Sequence, residues 1–183
     1  MESGNPGKRR ITPLERAMRL LSIRSYSERE LLSKLGRAGV AVEEAQAAVT
    51  ECRRRGYLND ALLAEDCAHA LSARGSGARL IRMRLRNRGL AAEHVEAALE
   101  KTAELEIDSA RRALDYKLRM LSKETDPRKK REKAFRFLAA CGFSPSVIHA
   151  LFDETDFHAA GEEFDPFGDE CGDPFEDGSN DLC

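Results

Sequence analysis

From Thr12 to Phe152 the apolar residues fall three and four positions apart, the spacing of one face of an α-helix. Leu14, Ala17, Met18 and Leu21 form the first stripe. Thr12-Pro13-Leu14-Glu15 precedes it as a capping box with proline at the first helical position, so helix 1 is predicted to run to about Ile23. Ser27-Glu28-Arg29-Glu30 is a second capping box and opens helix 2, with Leu31 and Leu35 inward and Gly39 as its stop. Helix 3 carries Ala45, Ala48, Val49 and Cys52 and ends at Gly56.

The same slots recur 50 residues on. Leu14, Ala17, Met18 and Leu21 become Ala64, Cys67, Ala68 and Leu71. Leu31 and Leu35 become Ile81 and Leu85, Gly39-Val40 becomes Gly89-Leu90, and Ala45, Ala48, Val49 and Cys52 become Val95, Ala98, Leu99 and Thr102. A third copy places Leu114, Leu118 and Leu121 on its first helix, with Lys117 interrupting the stripe. A three-residue insertion near Thr125-Asp126-Pro127 shifts the remaining matches to 53: Ala134, Leu138, Gly142-Phe143, then Ile148, Leu151 and Phe152 after the Ser144-Pro145 cap. The expected fold is all-α, three tandem three-helix repeats in an elongated, curved body. The boundaries read as a disordered basic arm at 1–11, repeats at 12–56, 57–105 and 106–152, and a disordered acidic tail at 153–183. A unit of about 50 residues buries little core by itself, so neighbouring units must lean on one another.

Charge changes this picture. The net value of −2 conceals two opposed blocks. All 30 Lys and Arg precede Asp153, against 20 acids there, which leaves residues 1–152 at +10. The remaining 31 residues carry 12 acids and include Asp-Pro-Phe twice, at 165–167 and 173–175. An acidic stretch with a Phe anchor suits a basic, apolar-floored pocket. Between Arg74 and Gly89 stand six arginines, Arg74, Arg79, Arg82, Arg84, Arg86 and Arg88, with no acid among them. Arg79, Arg82 and Arg86 share one helix face, with Ile81 and Leu85 inward. Like charges so concentrated repel one another unless something anionic lies against them. Lys129, Lys130, Arg131, Lys133 and Arg136 repeat the idea in the third unit, and Arg29, Lys34 and Arg37 in the first. Stacked units would join these helices into a basic track suited to a phosphate backbone or an acidic protein groove.

Chemistry beyond charge is not apparent in the sequence. There is no phosphate-binding glycine loop, no HExxH and no GxSxG. Five Cys without CxxC spacing and four scattered His make no zinc set, and they fit free thiols in a reducing cytoplasm. No apolar run is long enough to span a membrane, and the N-terminus lacks a signal-peptide core. The expectation is a cytoplasmic, monomeric, non-enzymatic protein without cofactor or metal.

Several blocks resemble the RecX regulatory family. Arg16 to Arg24, followed by Ser27-Glu28-x-Glu30-Leu31 and Lys34-Leu35, is similar to the family's opening. Gly56-Tyr57-Leu58-Asn59-Asp60 with Ala64 is similar to its central signature, which continues through Gly75-x-Gly77, Ile81-Arg82, Leu85 and Gly89-Leu90. Arg136-Phe137-Leu138 with Gly142-Phe143 is similar to its third unit. The resemblance implies a modulator lying in the groove of the RecA–DNA filament. Such a modulator restrains ATP hydrolysis, filament extension and strand exchange in recombination and repair. DNA, reached directly through the basic face, is a further partner that this allows, and a nucleic-acid-binding repeat module without a RecA role is the alternative the residues themselves allow.

Overall fold

The structure, a computed structural model, describes residues 11–154. All of the basic arm but Ile11, and all but the first two residues of the acidic tail, lie outside the described residues. Within them are nine α-helices and no strand: α1 (Pro13–Leu21), α2 (Glu28–Arg37), α3 (Val42–Arg54), α4 (Asp60–Ala73), α5 (Ala78–Asn87), α6 (Ala92–Thr102), α7 (Glu106–Met120), α8 (Pro127–Ala140) and α9 (Pro145–Asp153).

Helix starts follow local chemistry. Both capping boxes form: the Thr12 and Ser27 hydroxyls accept from the backbone N–H of Glu15 and Glu30, whose carboxylates accept in return. Asn59, Asp126 and Ser144 cap α4, α8 and α9.

Each helix triad encloses its own apolar cluster. Ala17, Leu31, Leu35, Ala45, Ala48, Val49 and Cys52 are buried together in the first. Ala64, Cys67, Ala68, Leu71, Ile81, Leu85, Val95, Ala98 and Leu99 fill the second, and Ala134, Leu138, Phe143, Ile148, Leu151 and Phe152 join α7 in the third. These are the slots the repeat predicts. Each fully buried Leu, Ile or Phe contributes about 1.5–3 kcal/mol. Thr102, in an otherwise apolar slot, is accommodated because its hydroxyl donates to the carbonyls of Ala98 and Leu99.

Three details depart from the pattern. Helix α1 stops at Leu21, and Ile23 is left 78% exposed in the following turn. Met18 is 37% exposed although its equivalent Ala68 is fully buried. The middle unit has neighbours on both sides, and the first only on one. In α7 the buried face is Ser109, Ala110, Ala113 and Leu114, one turn earlier than the Leu114-Leu118-Leu121 stripe. The reason is a second packing partner. Ala113 lies 3.4 Å from where a Cβ on Gly75 would stand, and the Ser72 and Ser109 hydroxyls pair at 2.9 Å, so the N-terminal half of α7 packs on α4. A short 3-10 turn, Ala103–Leu105, delivers α7 to that position.

The two seams between units are made by equivalent parts. At the first, the turn before α2 meets the end of α5: the Ser27 hydroxyl donates to the carbonyl of Arg88, and a Cβ on Gly89 would collide with the Arg29 side chain. At the second, the turn before α5 meets the end of α8. There the N–H of Gly77 donates to Cys141 O at 2.8 Å and that of Arg79 to Gly142 O at 3.1 Å. A Cβ on Gly77 would overlap the backbone of Gly142 and Phe143. Each seam therefore joins the N-terminal end of one second helix to the C-terminal end of the next. Groups that a helix end leaves without intrahelical partners satisfy one another there, and the helix dipoles meet with opposite signs.

Candidate functional site

End-to-end seams set α8, α5 and α2 in a row. The three helices hold 14, 10 and 10 residues, roughly 50 Å of helix at 1.5 Å per residue. The middle member carries the arginine run. Its first turn has no acid, its inward side is Ile81 and Leu85, and its arginines occupy the remaining faces.

Those arginines do different things. Arg79 is exposed and donates from Nη2 to the carbonyl of Ala139 across the second seam at 2.9 Å. Arg82 grips Glu96 of α6 with Nε and Nη2 at 2.8 and 2.7 Å, a two-pronged pair. Arg86 reaches the same carboxylate at 3.5 Å. The hydrogen bonds from Arg82 hold the Glu96 carboxyl below the usual carboxylate range, and the reverse interaction raises Arg82. Glu96 thus offsets one charge of the row and fixes two guanidinium groups in place. Arg74, the exposed C-cap of α4, stands at the turn into α5, and Arg84 is half-buried.

Arg88 differs from the other five. Its side chain is only 14% exposed and spans the first seam. Nε and Nη2 donate to the Glu30 carboxylate at 3.1 and 2.9 Å, Nη2 also donates to Ser25 O, and Nη1 lies 3.0 Å from Cys67 Sγ. Burial pushes the Glu30 carboxyl up, but the hydrogen bonds from Arg88 and the Ser27 backbone outweigh it and leave the group below its ordinary value. Composition groups Arg88 with the outward arginines, whereas the fold turns it inward as a tie between units.

The α8 cations are partly balanced. Lys133 pairs with Glu124 at 2.6 Å, Arg136 with Glu132 at 2.7 Å, and Lys129 stands 4.0 Å from Asp126. Arg131 lies over the Phe152 ring at 5.6 Å, and Lys130 is half-buried. On α2, Lys34 and Arg37 are exposed.

The signature residues have structural explanations. Gly56 adopts φ 74° where α3 turns into the next unit. Leu58 is buried while Tyr57 is 53% exposed beside it. Asp60 does more than start α4: its Oδ1 accepts from the Glu28 backbone N–H at 3.0 Å, capping α2 of the preceding unit. Burial raises the Asp60 carboxyl, against the lowering effect of that bond. A sequence reading sees Asp60 only as a helix-start acid, because its acceptor role is owed to a residue 32 positions away.

Among the described residues no group of three or more His, Cys, Asp or Glu lies placed to hold a metal ion. Cys52, Cys67 and Cys141 are buried and form no disulfide among the described residues, and burial pushes Cys141 to about 11. The cleft beside Arg82 and Glu96 has a volume of about 220 Å³. Small-molecule sites usually measure about 300–1,000 Å³. No described helix is long and apolar enough to cross a membrane.

The fold defines an all-α protein of three successive helix triads. The chain belongs to the RecX family. A family profile described as the first three-helix domain of RecX matches residues 14–52, and one described as the second matches 59–99. A regulatory protein RecX of Legionella pneumophila (strain Corby) is 31% identical over 139 residues, covering 76% of this chain and 91% of that protein. A protein of the same name from Chromohalobacter salexigens is 37% identical over 142 residues, 76% of this chain and 91% of its own. The crystal structure of RecX from Lactobacillus salivarius superposes with a TM-score of 0.71 at 20% identity, over 79% of this chain and 94% of that one. A second crystal structure, of a regulatory protein RecX, gives 0.69 at 22% identity, over 77% and 70%.

Proposed function

We propose that the chain lies along the RecA–DNA filament, with the α8–α5–α2 row in its groove. There it restrains ATP hydrolysis, filament extension and strand exchange. It acts as a cytoplasmic monomer and by binding alone, without catalysis or cofactor. The relatives are named regulatory proteins, which supports a modulating role. The observation that carries the reading is the Arg79-Arg82-Arg86 face of α5, set at the centre of a row of about 50 Å by two seams. Three basic helices in succession suit an extended partner, and their cations suit acidic side chains or phosphate alike.

The test replaces Arg79, Arg82 and Arg86 together by Ala and measures RecA ATPase on single-stranded DNA, with circular dichroism to check the fold. Each well-placed charge-assisted bond lost should cost about 1–3 kcal/mol, so inhibition should weaken by at least tenfold. Unchanged inhibition by the folded triple variant removes this face from the interface. Glu96→Gln should act in the other direction, because it frees Arg82 and Arg86 for the partner. Binding to bare and RecA-coated DNA, compared across salt concentrations, separates this reading from a plain nucleic-acid binder, for which the two affinities would be equal.

A further inference from the structure

The third unit carries an exposed feature that the basic row does not use. On α7, Tyr116 and Met120 stand one turn apart and are 55% and 65% exposed. Phe137 of α8 lies beside Tyr116, with the ring centroids 6.4 Å apart, and Lys117 Nζ lies over the same Phe137 ring at 5.0 Å. Lys130 and Lys133 precede Phe137 by seven and four residues, on its own helix face. The corner thus has an apolar floor with ammonium groups beside it, of which Lys133 is paired with Glu124. The first turn of α8 contains Arg128, Lys129 and Lys130, and the Asp126 carboxylate that caps the helix is the anion at its positive end.

We infer that this corner is the docking site of the chain's own acidic C-terminal segment, with Phe167 or Phe175 seated on Tyr116, Met120 and Phe137. Three observations converge on that occupant. The first is where the segment starts. Glu154 is held by Arg111 of α7 at 2.8 Å, so the chain leaves the body from the helix that carries the apolar floor. Tyr116 and Met120 are five and nine residues from Arg111, about 7.5 and 13.5 Å along the axis and roughly 140–180° around it, so the segment passes round α7 to reach them. Phe167 is 13 residues beyond Glu154, a reach of about 43 Å, which exceeds the roughly 25 Å diameter of a 50-residue unit. The second is chemistry. Residues 155–183 contain ten acids and no Lys or Arg, and each Asp-Pro-Phe places a large apolar ring among carboxylates. The third is spacing. Lys130 lies about 10 Å from Phe137 along α8, and acids two to five residues from Phe167 lie about 7–17 Å from it in extended chain. Tethering supplies an effective concentration near 1 mM, so a segment with an affinity of only about 1 mM is docked about half of the time. Docking would cover one end of the basic row and make its exposure dependent on salt and on competing anions.

The chain contains no Trp, so Tyr116→Trp in the full-length protein places a lone fluorophore at the corner without removing its aromatic surface. Docking predicts that acrylamide quenching of this fluorophore rises about twofold when Phe167 and Phe175 are both changed to Ala. A similar rise should follow added salt in the parent, but a smaller one in the double-Ala variant. Met120→Asp, made with the same reporter, should raise quenching as the Phe changes do. Equal quenching with and without Phe167 and Phe175 overturns the inference. So does protection that appears only when RecA filament is added, since the corner then belongs to a partner. Because the readout needs no RecA, its failure is distinct from failure of the filament reading.

Discussion

Arg88 and Glu30, 58 residues apart in sequence, close a two-pronged ion pair across the first seam with only 14% and 22% of their side chains exposed. Breaking such a pair from one side leaves a charge stranded in a poor solvent, and that is the dominant cost. Arg88→Ala is expected to destabilise the protein by about 3 kcal/mol in urea unfolding. A cycle with Glu30→Gln and Arg88→Met should return a coupling of about 1–3 kcal/mol, and strict additivity would show that the two residues act independently. The pair also sets a pH response. Glu30 titrates in the folded state below 4.5, so its contribution is present above that pH and is lost as pH falls through the folded value. Stability in the Arg88→Met variant should therefore fall less steeply on acidification.

The glycines give a graded comparison. A Cβ on Gly77 meets backbone of the neighbouring unit, which cannot move aside, whereas one on Gly39 meets nothing within 4 Å. Gly77→Ala should cost about 3 kcal/mol by opening the second seam. Gly39→Ala should cost only the strain of φ +78°, about 1–2 kcal/mol. Thermal unfolding of the two variants checks the order.

Asp60 combines a needed acceptor with an unwelcome charge, since Glu28 and Glu30 face it and burial raises its carboxyl. Asp60→Ala removes the cap on the Glu28 N–H and should cost about 1–2 kcal/mol. Asp60→Asn keeps an oxygen there and removes the charge, so at neutral pH it should be neutral or stabilising. A stability loss in the Asn variant equal to that of Ala would show that the charge itself is required.

Where α7 packs on α4, Ser72 and Ser109 are 3% and 0% exposed and bond to each other. Ser72→Ala alone should cost about 1 kcal/mol, because the Ser109 hydroxyl loses one bond but still donates to Leu105 O and accepts from Arg112. Changing both to Ala should cost more than the single change, since Arg112 then loses its acceptor as well, which differential scanning calorimetry would resolve.

Much of the architecture was legible because its signals are local. The capping boxes at Thr12 and Ser27, the stripes from Ala17 to Cys52 and their echoes 50 residues later all act within one or two turns. What escaped is what depends on a neighbour. The buried face of α7 was misplaced by one turn because Ser109, Ala110 and Ala113 are small residues whose fit to Gly75 and Ser72 has no sequence period. Arg88 looked like its five neighbours because charge is visible in a sequence and direction is not. The outward arginines on α5 were readable as a face, but their shared counter-charge, Glu96, arrives from α6 and changes which of them a partner would find unengaged.

Both seams are small. Each centres on a turn set into the glycine end of the next helix and tied by a handful of hydrogen bonds, with the Arg88–Glu30 pair beside the first and the α4–α7 contact beside the second. Such a joint concentrates bending the way a pivot does, and everything beyond it moves as a lever arm. A unit of about 50 residues is roughly 25 Å across, so a tilt of about 10° at one pivot displaces its far edge by about 4 Å. That distance exceeds the tolerance of a hydrogen bond. A residue such as Gly77, which need never touch a partner, therefore has leverage over whether side chains a full unit away fall into register with one.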